Sequence, residues 1–342
     1  MIIMLKIEEN KSLKTFNTFG VNVKAKYFTS VASEKEILEI LQSKRFGSMD
    51  KLILGGGSNI LFTKNYDGLI IHYVEKGIRL VEENEKYVTI ESSAGEIWND
   101  LVSYCVDNKY YGIENLSLIP GTVGAAPIQN IGAYGAEIRD VFESLNGIDL
   151  ETGEKRSFKK NECKFDYRDS IFKKELKGKF IITKVILKLQ KEKKFNLNYR
   201  DLNNYLGKAN KEKLTIKKVR DTVDKIRTNK LADPKRFGNA GSFFKNPEVS
   251  ETTFLDLKRD YEEMVFFKLD RNKYKIPAGF LIEKCGYKGK RVGDVATYNK
   301  QALVIINMGK ATGEQIKTFS QEIQKAVFDK FGIEIIPEVN IL

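Results

Sequence analysis

Between Glu114 and Glu137 the chain carries no charged side chain, although 30% of its residues are charged overall. Gly121, Gly124, Gly132 and Gly135 fall inside this stretch, with two of the six prolines, Pro120 and Pro127. It is long enough to span a membrane, but the prolines and glycines would break a helix and leave backbone groups unpaired in lipid. Glycine instead permits positive φ and close approach to the main chain. Gln129 and Asn130 add hydrogen-bonding edges, so the segment suits a backbone wrapped around a large, flat, partly apolar cofactor. A buried core loop is the competing reading.

The 342 residues predict two or three domains, and 42% hydrophobic content is ample for their cores. Lys and Arg number 58 against 46 Asp and Glu, a net charge of +12. The lysines are spread along the chain, and no Arg-rich, Gly-aromatic or zinc-finger motif accompanies them, so a nucleic-acid partner is not expected. Such a charge is a solvated surface that also steers polyanionic small molecules. Cys105, Cys163 and Cys285 are odd in number and widely spaced, which predicts free thiols rather than a disulfide framework or a zinc site. The N-terminal apolar run is short and becomes charged at once, unlike a signal peptide. The expected location is the cytoplasm, with no membrane association.

His72 is the one histidine, and it sits in the strand-like run Gly68-Leu69-Ile70-Ile71-His72-Tyr73. Histidine triads and multi-histidine metal sites are thereby excluded, and His72 reads as structural. No metal is expected.

Ser33-Glu34-Lys35-Glu36 predicts a capping box opening a helix through Ile37, Leu38, Ile40 and Leu41. Strands are expected at 51–54, 60–63, 78–82, 86–93, 180–187 and 302–306. Helices are expected around 97–105, through Ile216, Val219, Val223 and Ile226 to Lys230, near 278–285, and from the Thr312 cap to Gly332. A final extended piece follows at 333–341, and Asp233-Pro234 is a candidate domain boundary. Lys51-Leu52-Ile53-Leu54 enters Gly55-Gly56-Gly57-Ser58-Asn59 and leaves as another strand. A Rossmann fingerprint needs a further glycine and a helix there, and a P-loop needs Gly-Lys-Ser/Thr. The turn can still offer consecutive N–H groups to a pyrophosphate, or be a glycine-rich hairpin without a ligand.

Three short motifs carry chemistry. In Lys164-Phe165-Asp166-Tyr167-Arg168-Asp169-Ser170 a guanidinium suited to a carboxylate stands between an aromatic residue and an acid. In Gly241-Ser242-Phe243-Phe244-Lys245-Asn246-Pro247 a serine precedes two large apolar residues that can keep it oriented. Pro337-Glu338-Val339 places a carboxylate near the end. Taken singly, a structural ion pair, a turn hydrogen bond and a surface acid explain Arg168, Ser242 and Glu338 equally well.

These motifs occur in order with Asn17-Thr18-Phe19-Gly20, Leu54 to Asn59, Ile119-Pro120-Gly121-Thr122-Val123-Gly124 and Gln129-Asn130-Ile131-Gly132-Ala133-Tyr134-Gly135. Together, from Asn17 to Glu338, the chain resembles the UDP-N-acetylenolpyruvoylglucosamine reductase (UDP-N-acetylmuramate dehydrogenase) family, flavoenzymes that complete UDP-N-acetylmuramate for bacterial peptidoglycan. The resemblance implies an α+β protein with a vanillyl-alcohol-oxidase/PCMH-type FAD-binding domain of two α+β subdomains. These would be 1–72, completed by 332–342, and 73–231, with an α+β substrate-binding domain at 232–331. It implies FAD contacts at Gly55, Gly56, Gly57, Ser58, Asn59, Ile119, Gly121, Gly124, Ala125, Gln129, Gly132 and Arg227. Ser242 takes the proton-donor role, and Arg168 and Glu338 stabilise the intermediate. Leu197-Asn198-Tyr199-Arg200-Asp201-Leu202 resembles the loop of the larger subtype, whose tyrosine, here Tyr199, covers the nucleotide substrate. Tyr167, Lys230, Asn246, Lys288 and Gln301 stand where the family meets the UDP-sugar.

The implied reaction passes electrons from NADPH through FAD to the enolpyruvyl ether, pushing charge into its carboxylate. Arg168 can offer paired donors to that charge, Glu338 another if protonated, and Ser242 a proton to the α carbon. Ala125-Ala126 departs from the family pattern, in which relatives carry hydroxyls. His72 and the cysteines lie outside the glycine motifs, so a dissociable FAD is expected, in a monomer. Two alternatives remain: another flavin oxidase or dehydrogenase of the same fold, and a non-catalytic nucleotide- or nucleic-acid-binding protein.

Overall fold

The apolar runs become strands of two kinds, distinguished by their burial. The computed structural model describes residues 5–208, 210, 212–269 and 272–342. Chain contacts divide it into two units. The first holds the chain up to Lys11, Ala25–Gly56 and Tyr66–Asn229; the second holds Ser12–Lys24, Gly57–Asn65 and Lys230–Leu342.

In the first unit, strand Tyr66–Tyr73 is flanked by Lys24–Val31 and Lys51–Leu54, both parallel to it. Leu69, Ile70 and Ile71 are fully buried in a row, as expected for a strand covered on both faces. A separate antiparallel sheet has the order Lys155–Lys159, Phe142–Asp149, Phe180–Gln190, Tyr87–Ser93, Ile78–Glu83. Along Tyr87–Ser93 only alternate residues are buried, because one face alone meets the core. This segregation of parallel and antiparallel pieces makes the fold α+β.

Among the described residues the α-helices of this unit are Glu34–Gln42 (α1), Trp98–Asp107 (α2), Arg200–Leu206 (α3) and Ile216–Lys230 (α4), whose last residue passes into the second unit. At α1 the Ser33 hydroxyl accepts from the Glu36 N–H, but the Glu36 carboxylate reaches back to the Ala32 N–H (2.7 Å). The box is therefore offset by one residue from the pattern expected. α2 buries Trp98, Leu101, Val102 and Cys105 in the same apolar core as Val88, Ile90, Val185 and Leu187 of the antiparallel sheet.

The charge-free segment divides into buried and partly exposed positions. Leu116, Val123, Ala126, Ile131 and Ala136 are buried, while Ile119, Gly121, Ala125, Gln129 and Gly132 keep partial exposure. Trp98 Nε1 donates to the Leu116 carbonyl (2.9 Å), and the Gly124 N–H to that of Ala94 (2.9 Å). A Cβ on Gly124 would fall 2.5 Å from the Ala94 Cβ. Gly124→Ala should thus destabilise the protein by about 1–3 kcal/mol through overpacking, read as a lower thermal midpoint. An unchanged midpoint would refute the close packing.

The described residues of the second unit form two small antiparallel sheets. One is Glu248–Ser250, Lys273–Lys275, Phe267–Lys268, and the other Arg291–Val292, Val295–Tyr298, Gln301–Asn307. Its helices are Glu251–Asp260 (α5), Ala278–Lys284 (α6) and Gly313–Phe331 (α7). Thr312 and Gln315 form a reciprocal capping box at α7, and Gly332 ends it at φ +65°. Of the expected run 60–63 only Ile60–Leu61 is strand, pairing in parallel with Asn340–Ile341; the rest of 333–341 lies outside the sheets. No helix of the described residues is long and apolar enough to cross a membrane.

Candidate active site

In the first unit the Tyr167-Arg168 pair is the tip of a tight hairpin, closed by reciprocal backbone bonds between Asp166 and Asp169 (3.1 and 3.2 Å). Arg168 sits at φ +53°, a strained left-handed conformation for a side chain of its size. Asn130 holds that hairpin: its Nδ2 donates to the Asp166 carbonyl (3.0 Å) and to Glu137 (2.9 Å), and its Oδ1 accepts from the Arg139 N–H. Asn130 is fully buried, so the expectation that it faces a ligand gives way to a structural role. Ser170 adds a second tie, its hydroxyl donating to the Ile128 carbonyl (2.6 Å). The Arg168 guanidinium donates to the Gly132 carbonyl and lies 5.6 Å from the Tyr167 ring. A Cβ on Gly132 would meet Arg168 Nη1 at 2.8 Å, so this glycine makes room for the arginine.

Arg227, on α4, donates through Nη2 to the Leu118 carbonyl (3.3 Å), while its Nε is buried with no partner among the described residues. Burial, with the Arg168 charge nearby, holds its pKa below the usual arginine value, against the pull of Tyr134 and Asp224. The group stays cationic. Tyr134 and Tyr199 meet edge to face at 5.3 Å. Burial raises both phenols, Tyr134 to about 12, so both stay protonated at neutral pH as donors.

In the second unit, the segment Ser242–Lys245 is an unannounced pairing element. On one side Ser242 bridges Val304, and the Phe243 N–H donates to the Leu303 carbonyl (2.8 Å). On the other, Phe244 bridges Pro337, and the Glu338 N–H donates to the Phe243 carbonyl (2.8 Å). Glu338 therefore lies opposite Phe243, one residue along from Ser242. Phe243 and Phe244 are each 1% exposed and anchor the segment. Asn59 joins the same neighbourhood, its Nδ2 donating to the Glu338 carbonyl (3.4 Å) and its own carbonyl accepting from the Asn340 N–H (3.1 Å). Gly57, at φ +60°, is pressed against Phe16, whose carbonyl oxygen would be 2.0 Å from a Cβ.

The structure brings two of the expected substrate residues to the first turn of α6. Asn246 Oδ1 accepts from the Ala278 N–H (2.9 Å), and a Cβ on Gly279 would lie 2.9 Å from Gln301 Oε1. Lys288 is exposed and paired with Glu283 (2.9 Å), and Lys230 is the exposed last residue of α4. His72 is structural, packed on Phe28 and beside the Ser30 hydroxyl (3.3 Å). The cysteines are free; burial raises the Cys163 thiol to about 12.

Sequence reasoning left Thr18 and Asn307 without roles. Thr18 Oγ1 donates to the Asn239 carbonyl (2.6 Å), which ties the Asn17–Gly20 motif to the segment leading to Ser242, and Asn307 Nδ2 donates to that of Phe19 (2.9 Å), which ties the motif to the end of strand Gln301–Asn307. The motif itself was the available signal.

A flavin suits these residues. The exposed Gly56 backbone lies against Gly121, partly exposed apolar and glycine positions follow it, and a buried arginine donor is left over for an anion. Residues 25–158 match the family described as FAD binding domain. The fold and site thus define an FAD-dependent oxidoreductase. Residues 233–342 match the family described as UDP-N-acetylenolpyruvoylglucosamine reductase, C-terminal domain. The chain is similar to the UDP-N-acetylenolpyruvoylglucosamine reductase of Flavobacterium johnsoniae, at 48% identity over 99% of this chain and 100% of that one. That of Amoebophilus asiaticus is 44% identical, over 99% and 100%. The chain belongs to the UDP-N-acetylenolpyruvoylglucosamine reductase family. The crystal structure of the reductase from Thermus caldophilus shares its fold, with a TM-score of 0.68 over 99% of each chain at 22% identity.

Proposed function

We propose that the protein reduces UDP-N-acetylglucosamine enolpyruvate to UDP-N-acetylmuramate for peptidoglycan synthesis, with NADPH as electron donor. The observation that carries this reading furthest is the backbone pairing of the Ser242 segment with the Glu338 segment, which sets two motifs of distant sequence on neighbouring strands. When bound, FAD supplies the hydride taken from NADPH. Gly55, Gly56, Gly57, Ser58, Asn59, Ile119, Gly121, Gly124, Ala125, Gln129, Gly132 and Arg227 would hold it without a covalent link. Arg168 binds the substrate carboxylate and stabilises charge there. Glu338 donates a further hydrogen bond to that charge if its carboxyl is protonated, and Ser242 gives its proton to the α carbon. Tyr199 covers the nucleotide, and Tyr167, Lys230, Asn246, Lys288 and Gln301 contact the UDP-sugar. The division into subdomains 1–72 with 332–342, 73–231 and 232–331 belongs to the same reading, as do a cytoplasmic location and a monomeric state.

The test is spectroscopic. The purified protein should be yellow, bleach anaerobically with NADPH, and regain colour on addition of UDP-N-acetylglucosamine enolpyruvate. Reoxidation by oxygen alone would point to an oxidase of the same fold, and a colourless protein unable to bind FAD would overturn the reading.

A further inference from the structure

Asn115, only 2% exposed, opens the charge-free segment. An amide nitrogen carries two hydrogens, and here both are used. Nδ2 donates to the carbonyl of Tyr134 (3.0 Å) and to that of Asn196 (2.8 Å). The first carbonyl belongs to the Tyr134-Gly135 turn, in which Tyr134 is held at φ +48°. The second belongs to the run that leads to Tyr199. A third bond closes the same gap, from Asn196 Nδ2 to the Gly135 carbonyl (2.8 Å). The two tyrosine rings meet above this clasp, at 81° to one another. Both pack with Leu197 against an apolar bed of Leu202, Leu206, Val219, Val223 and Ile226.

Asn115 does not serve as core filling. Its Oδ1 is buried with no partner among the described residues, an unfavourable arrangement that an apolar side chain would avoid. Its value lies in the two donors, aimed at two different segments. We propose that Asn115 is a positioning residue for substrate binding: it clasps the Tyr199 run to the Tyr134 turn and thereby sets where the Tyr199 side chain stands. The proposal rests on the reading of Tyr199 as the residue that covers the nucleotide.

The test compares Asn115→Ala, Tyr199→Ala and the double variant as FAD-loaded enzymes. Asn115→Ala should raise KM for UDP-N-acetylglucosamine enolpyruvate by about 10-fold, the scale on which misplaced binding groups act, with flavin reduction by NADPH unchanged. In the Tyr199→Ala background the same change should add less than about 2-fold, because residues acting through one another are not additive. An unchanged KM, or full additivity in the double variant, would overturn the proposal. If Asn115→Ala does not fold, Asn196→Ala removes from an exposed residue the bond to the Gly135 carbonyl and the one its Oδ1 accepts from the Asn198 N–H (3.3 Å). It should raise KM a few-fold, and no rise would refute the clasp. A wild-type enzyme whose reduced flavin ignores the UDP-sugar overturns the functional reading itself, and is recognised before any variant is compared.

Discussion

Ser242→Ala should slow reoxidation of the reduced flavin by UDP-N-acetylglucosamine enolpyruvate by about 10²-fold or more, with flavin reduction by NADPH nearly intact. General acid catalysis contributes on the order of 10²–10⁴ in rate, and each tenfold is about 1.4 kcal/mol of barrier. The substitution removes one oxygen. The segment is held by backbone bonds to Leu303 and from Glu338 and by the buried Phe243 and Phe244, none of which depends on the hydroxyl. A defect confined to the second half-reaction therefore isolates proton donation from folding. Rapid mixing of each half-reaction separately decides the matter, and equal losses in both would sink the assignment.

Arg168→Lys should cost about 10²–10³ in the same half-reaction, the magnitude found when one group stabilising a developing oxyanion is removed. Lysine keeps the charge but not the planar fork that matches a carboxylate. The hairpin should survive, because Asn130, Ser170 and the Asp166–Asp169 pairing hold it independently of the guanidinium. The strained φ is also retained, since lysine and arginine meet the same backbone restriction. A normal rate accompanied by a lower melting temperature would show Arg168 to be structural, a donor to the Gly132 carbonyl.

Much of the secondary structure was legible because its signals are local. The apolar runs at 51–54, 86–93 and 180–187 are strands, and the Thr312-Gln315 cap and Gly332 bound α7 as read. Asn130 was misread for the complementary reason: beside glycines it looks like a ligand-facing amide. Only the fold reveals that Glu137, Asp166 and Arg139 occupy both its ends. Gly124 and Gly132 were read as space for a cofactor, and part of that space belongs to Ala94 and Arg168.

The sequence by itself determined α1, α2, α4, α6 and α7, the strands within 51–54, 86–93 and 180–187, the glycine that ends α7 and, through its ordered motifs, the family. These depend on contacts among near neighbours and on residue types that tolerate few conformations. Tertiary structure alone decided that Glu338 lies opposite Phe243, that Asn59 reaches the same strand end, and that one amide of Asn115 joins Tyr134 to Asn196. Hydrogen bonds between distant segments form only where packing brings donor and acceptor within about 3 Å, a distance that spacing along the chain does not encode.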